Sequence, residues 1–242
     1  MTQTASIDIR NVSKQFGAKV VLRDITLQVE PAQIYGLLGP SGSGKTTLVR
    51  MIAGIDEPTA GTVHVLGQRM PQLAMLMQIG YMAQSDALYG ELTAQENLEF
   101  FASLYGLSGS RRKRRIEEVM SLVNLTDHLK KPAASYSGGM KRRLSLAIAL
   151  LHEPGVLILD EPTVGIDPVL RKAIWAELGQ LCARGTTILV TTHVMDEADK
   201  CHRLGMIRDG RLTATGTPEE LKQATGSTTI EEAFLYYGGV GQ

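Results

Sequence analysis

Eight consecutive residues, Gly39-Pro40-Ser41-Gly42-Ser43-Gly44-Lys45-Thr46, constrain this chain more than any other stretch. They follow Ile34-Tyr35-Gly36-Leu37-Leu38, a short apolar run that reads as a buried strand. They precede Thr47-Leu48-Val49-Arg50-Met51-Ile52-Ala53, which reads as a helix. The run fits the pattern G-x-x-x-x-G-K-[ST]. A strand, a glycine-rich turn and a helix start together place backbone N–H groups around an anion. Glycine permits the tight path and lets main chain approach phosphate oxygens closely. Lys45 is then in reach of β- and γ-phosphates, and the Thr46 hydroxyl is a candidate ligand for Mg²⁺.

A second run adds acid to that arrangement. Val156-Leu157-Ile158-Leu159 is continuously apolar and ends in Asp160-Glu161. With Thr187-Ile188-Leu189-Val190 it has the character of parallel strands covered on both faces. In a doubly wound α/β fold the carboxyl ends of the strands face the phosphate loop. Asp160 is there a candidate for the Mg²⁺ shell, and Glu161 is placed to polarise an attacking water.

The flanking segments supply the frame. Ile7-Asp8-Ile9-Arg10-Asn11-Val12 and Ile25-Thr26-Leu27-Gln28-Val29 alternate with period two, and Gly61 to Gly67 reads as another strand. These predict a small antiparallel sheet beside the core. From Thr93 the period becomes helical, with Thr93 and Glu96 forming a capping box. A second helix is expected from about Arg112 to Val123, so residues 86–150 read as a helical subdomain. Asp167-Pro168 caps and starts a helix, Asp209-Gly210 marks a hairpin turn, and Thr217-Pro218-Glu219-Glu220 opens a further helix.

Length and charge narrow the class. The 242 residues can bury a sizeable core, and acidic and basic residues balance at 25 each. No global field recruits nucleic acid or an anionic membrane. The densest basic run, Arg111-Arg112-Lys113-Arg114-Arg115, reads either as a solvated helix turn or as a contact for acidic head groups or a partner's acidic loop. Cys182 and Cys201 lack metal-ligand spacing, and a reducing compartment suits them. Met1 to Ser6 lacks the basic-then-apolar order of a leader, and no apolar run approaches the roughly 20 residues that span a bilayer.

The most specific element is Tyr136-Ser137-Gly138-Gly139-Met140-Lys141-Arg142-Arg143-Leu144-Ser145. Physically, Ser137-Gly138-Gly139 before a helix is a second anion-binding helix start. The chain, from about Ile7 to Tyr237, resembles the nucleotide-binding subunit of an ATP-binding cassette (ABC) transporter. This run is similar to the family's signature loop, with Met140 where many members have glutamine. The resemblance implies an α/β fold: a P-loop NTPase core with a mostly parallel sheet, a small antiparallel β subdomain and an inserted helical subdomain. Its parts would be residues 1–85 and 151–215 for the core, 86–150 for the helical subdomain and 216–242 for a C-terminal helical extension.

The resemblance also implies ATP and Mg²⁺ as ligands. ATP contacts fall on Gly39, Pro40, Ser41, Gly42, Ser43, Gly44, Lys45, Thr46 and Thr47. Phe16, in Lys14-Gln15-Phe16-Gly17, is similar to the aromatic that stacks on adenine. Gln84, in Tyr81-Met82-Ala83-Gln84, matches the glutamine that contacts Mg²⁺ or the attacking water. With Thr46 and Asp160 it completes the metal set. Val164-Gly165-Ile166-Asp167 resembles the loop that crosses a dimer interface, and Asp167 is also explained as a plain helix cap. His193, ending Thr191-Thr192-His193, matches the switch histidine. Lys45, Gln84, Glu161 and His193 are thus the candidate catalytic set.

In the family a head-to-tail homodimer brings Ser137, Gly138, Gly139 and Asp167 of one copy to the nucleotide of the other. The resemblance implies an ATPase at the cytoplasmic face of a bacterial cell membrane, peripheral to an integral permease on a separate chain. The expected docking surface is residues 84–106, with Tyr89, Leu92, Phe100, Phe101 and Tyr105. The signature and the Glu161-to-Pro168 run look most like drug-resistance exporters, moving drugs, lipids or other small molecules. Alternatives are a soluble or signalling ABC ATPase with a non-transport partner and a small-molecule P-loop kinase. Neither heptads nor a cysteine cluster interrupt the 91 residues between Lys45 and Ser137, unlike chromosome-associated members.

Overall fold

The computed structural model describes residues 5–85 and 87–238. Met1-Thr2-Gln3-Thr4, part of the stretch read for a leader, lies outside them. In chain order, β1 (Ile7–Phe16) and β2 (Lys19–Val29) form a hairpin, and β3 (Ile34–Leu38) enters the glycine loop that leads to α1 (Lys45–Ile52). β4 (Ala60–Val65), β5 (Gln68–Arg69) and β6 (Ile79–Met82) precede three helices, α2 (Ala94–Leu104), α3 (Gly109–Leu122) and α4 (Gly138–Leu150). Then come β7 (Val156–Asp160), α5 (Pro168–Ala183), β8 (Thr187–Thr192), the single turn α6 (Met195–Ala198), β9 (Arg203–Arg208) and β10 (Arg211–Gly216). Helices α7 (Pro218–Thr225) and α8 (Ile230–Tyr237) close the described chain.

Two sheets result. One is antiparallel, in the order β2-β1-β4-β5; the other runs β10-β9-β3-β8-β7-β6 and is parallel except for β10. The parallel strands bury both faces, as their apolar runs require. Ile34, Leu38, Leu157, Leu159, Ile188 and Val190 join the apolar cluster that also holds Leu98, Ile116, Leu144 and Ile174 from the helices. Tyr35, Leu37, Ile158 and Leu189 join the opposite cluster with Leu48 and Met51 of α1 and Ile9, Ile25 and Val63 of the antiparallel sheet. Each such aliphatic side chain contributes roughly 1.5–3 kcal/mol by leaving water. The period-two alternation assigns successive residues to different packing partners.

Register then places chemistry. Met82 pairs with Leu159, Asp160 with Thr191, and Leu38 with Thr192. Four parallel strands therefore end side by side, and the residues just beyond them emerge along one edge.

Helix ends follow the local code. Thr93 and Glu96, and Thr217 and Glu220, form reciprocal capping boxes, and Asp167 Oδ1 accepts from Leu170 N at 3.0 Å. Some boundaries move. Strands β1 and β2 run further than their alternation indicates, because Asn11 (φ 50°) and Asp24 (φ 51°) break the register while Asn11 Nδ2 donates to Asp24 Oδ1 at 2.9 Å. Helix α1 begins at Lys45 rather than Thr47, and α3 at Gly109 rather than Arg112. The basic run is not uniformly solvated. Arg115 turns inward and donates to the carbonyls of Leu150 and Leu151, closing the C-terminal end of α4. No described helix is long and apolar enough to cross a membrane.

Candidate nucleotide and hydrolytic site

The glycine loop is held by close approach. A Cβ on Gly39 would lie 2.3 Å from Ile207 O, and Gly44 sits at φ 105° with a Cβ position 2.6 Å from Leu22 Cδ2. Gly44 is also the N-cap of α1, so no side chain occupies the first-turn N–H groups. Lys45 is only 5% exposed. Its Nζ donates to Gly39 O at 2.7 Å and Pro40 O at 3.0 Å, closing the loop into a ring. Burial pulls the Lys45 ammonium below its ordinary range, and the charges of Glu161 and Asp160 pull it back up. Ser43 Oγ is buried with no hydrogen-bond partner in the protein.

At the end of β7, across β8 from the glycine loop, Asp160 is fully buried and accepts from the Thr191 hydroxyl through Oδ1. Its other oxygen, Oδ2, has no partner in the protein. Glu161 takes a positive φ of 53°, and its N–H donates to Thr191 O and Oγ1 at 3.2 and 3.0 Å. That turn separates the two carboxylates. Asp160 stays inside, while Glu161 faces Gln84 and His193. Its Oε1 lies 3.0 Å from His193 Nδ1, and its Oε2 accepts from Gln84 Nε2 at 3.4 Å. An ionised carboxylate only accepts, so the Nδ1 of His193 carries a proton in this pair.

Three groups that the sequence reading left without a role support this row. Arg142, on α4, is buried and donates to carbonyls of Ala83, Gln84, Asp160 and Glu161. Thr191 braces both acids. Glu197 is buried in α6, accepts the hydroxyls of Thr163 and Thr192, and has Arg171 at 3.9 Å. It ties the loop before α5 to the strand that carries His193. For Thr191, the signal is its place one residue before the strand's end, opposite the acid pair.

The structure thus brings Lys45, Gln84, Asp160, Glu161 and His193 to one strand edge. Phe16, Ser137 and Asp167 engage their own local segments instead. Phe16 stands half exposed near the β1–β2 turn with Lys14 Nζ 4.8 Å from its ring centre. Ser137 is exposed and its Oγ accepts from Met140 N at 3.3 Å, capping α4. A Cβ on Gly139 would lie 3.0 Å from Gly165 O, so the first turn of α4 packs on the loop that precedes Asp167.

Comparison with known proteins identifies the family and the fold. The ABC transporter family profile matches residues 22–164. The chain is 38% identical over 236 residues to the probable multidrug ABC transporter ATP-binding protein YbhF of Escherichia coli (strain K12), covering 95% of this chain and 41% of that protein. It is 42% identical over 233 residues to the Nod factor export ATP-binding protein I of Burkholderia lata, covering 95% of this chain and 77% of that one. The chain therefore spans less than half of YbhF and about three quarters of the Nod factor export protein. Among solved structures, an ATP binding subunit of an ABC transporter superposes with a TM-score of 0.90 at 30% identity, covering 97% of this chain and all of that chain. The dimeric, post-hydrolysis ATP-binding cassette MJ0796 bound to ADP and Pi gives 0.82 at 27% identity, covering 87% of this chain and 98% of its own. By sequence, strand order and the groups gathered at the strand edge, the chain belongs to the ABC transporter family and is one of its ATP-binding cassettes.

Proposed function

We propose that this chain hydrolyses ATP and transmits the work to a membrane permease on a separate chain, with export of drugs, lipids or other small molecules as the direction. One observation carries the hydrolytic reading. The Glu161 carboxylate is held between His193 and Gln84, one residue beyond a buried Asp160 with an unpartnered oxygen. In the reaction, Lys45 and the N–H groups of the glycine loop neutralise charge on the phosphates. Glu161 accepts the proton of the attacking water, and His193 orients its carboxylate.

The unpartnered Asp160 oxygen fits a hard cation, as do the hydroxyl of Thr46 and the amide oxygen of Gln84. Mg²⁺ held there would supply charge neutralisation at the phosphates. Phe16 would stack on the adenine, worth about 1–3 kcal/mol.

Dimerisation follows from the second helix start. Ser137, Gly138, Gly139 and Asp167 of one copy would complete the site of another, and the dimeric form of MJ0796 supports this assembly. The permease would dock on residues 84–106, in what we take as the helical subdomain. Tyr89 is 47% and Phe100 38% exposed there, and they stack edge to face at 5.0 Å beside Phe101. Buried Asn97 fixes that loop by bonding Tyr89 N and the carbonyls of Tyr89, Leu92 and Thr93. Such a subunit sits peripherally at the cytoplasmic face of the membrane. The name of the Nod factor export protein supports export, and that of YbhF supports drugs as cargo.

Phosphate release by the purified chain with Mg²⁺ and ATP, alone and with its co-purified permease, tests the reading. Glu161→Gln should lower turnover by about 10²–10⁴ and trap an ATP-bound dimer visible by light scattering. Hydrolysis at the parental rate would remove Glu161 as the base. Hydrolysis without solute movement in reconstituted vesicles would point to a non-transport partner.

A further inference from the structure

The side chains of Gln84 and Glu161 meet at only 3.4 Å, too long a bond to set their own spacing. A stronger element lies behind them. Arg142 Nη1 donates to Ala83 O at 2.7 Å and Gln84 O at 2.8 Å. On the other side of the same guanidinium, Nη2 donates to Glu161 O at 2.6 Å and to Asp160 O, and Nε reaches Glu161 O at 3.2 Å. One fork of the plane therefore grips the segment after β6 and the other grips the end of β7. The side chain is 6% exposed, so water competes little for these donors.

We propose that Arg142 is a positioning residue for hydrolysis: its planar fork fixes the separation of the Gln84 segment from the Glu161 strand end. This deepens the hydrolytic reading above and rests on it. The geometry needs arginine. Guanidinium offers five donors in a rigid plane, whereas lysine offers three about a single point and cannot span two carbonyl pairs. Arg142 springs from α4, so the helix that begins at Ser137 also holds the frame of its own chain's catalytic row.

The test compares Arg142→Lys with the parent in the full chain, by steady-state phosphate release and by titration with a fluorescent ATP analogue. Loss of one charge-assisted bond's worth of alignment should lower kcat by about 10- to 100-fold, with KM and nucleotide affinity within about 2-fold of the parent. A Gln84→Ala background supplies the readout that a purely structural role would not move. There, Arg142→Lys should cost little more, because the residue it positions is already gone. Arg142→Gln, which keeps a planar pair of donors, is made in parallel and read the same way should the lysine variant be insoluble.

Parental kcat in both substitutions, a loss confined to KM, or losses that multiply in the double variant would each overturn the proposal. A parent that hydrolyses no ATP, alone or with its permease, removes the underlying reading. A hydrolysing parent with unaffected variants removes only the role of Arg142.

Discussion

Two helices in this chain begin at glycine-rich turns, and they begin differently. Helix α1 starts at Gly44, which has a positive φ and no side chain to place on the first-turn N–H groups. Helix α4 starts at Ser137, whose hydroxyl oxygen accepts from Met140 N. The first start is packed inside the protein, with Lys45 buried beside it and the acids at the end of β7 close enough to influence its charge. The second is exposed and finished with its own cap. A helix terminus alone is therefore not a phosphate site. In the reading proposed above, the first becomes one through a buried cation and a cage of neighbours, and the second needs a surface from elsewhere.

Substitutions at each start test that difference. The largest effect should come from Lys45→Ala, which removes the buried cation. Nucleotide affinity of the single chain should fall by about 10- to 100-fold, the worth of charge-assisted bonds to phosphate, in a fluorescent-analogue titration. An unchanged affinity would make the two starts equivalent and break the comparison. Gly44→Ala comes next, since it forces a Cβ toward Leu22 at an unfavourable φ. We expect a stability loss of about 1–3 kcal/mol in urea unfolding; a neutral result would mean that the loop relaxes freely.

Ser137→Ala should cost about 1 kcal/mol as a lost cap and spare the single chain's affinity for nucleotide. In the Glu161→Gln background it should weaken the ATP-dependent dimer about 5-fold, read by sedimentation. Equal damage to monomeric binding would place Ser137 in its own chain's site.

A last effect, visible only in acid, concerns the far end of α4. His152 stacks on Tyr105 at 3.7 Å, and burial pushes its pKa down from 6.5 to about 4. The unfolded chain takes up the proton first, so stability present above about pH 6.5 should be lost as pH falls toward about 4. Thermal melts across that window should show less acid loss for His152→Gln than for the parent.

Much of this was legible in the residues. The glycine loop, the acid pair and the caps at Thr93, Asp167 and Thr217 are local patterns, and local patterns survive folding intact. Arg142 was not legible. It stands in Lys141-Arg142-Arg143, where three basic side chains look alike and only helix phase decides which one is buried. Its acceptors are carbonyls, which every residue carries and no sequence displays. Glu197 was hidden for a related reason: its threonine partners come from separate segments, joined only by the strand order. The outer parts of β1 and β2 escaped because Asn11 and Asp24 interrupt the alternation that marks a strand.

Along the shared strand edge, Gln84, Glu161, His193 and the lysine loop hang from four neighbouring strands spaced about 4.8 Å apart. The hydrogen-bonded lattice behind them is common property, and Arg142 adds a second tie between two of the arms. Lengthening the Gln84 or the Glu161 arm by a residue would drag the other with it. Such a layout makes those two groups shift as one unit on an otherwise fixed scaffold.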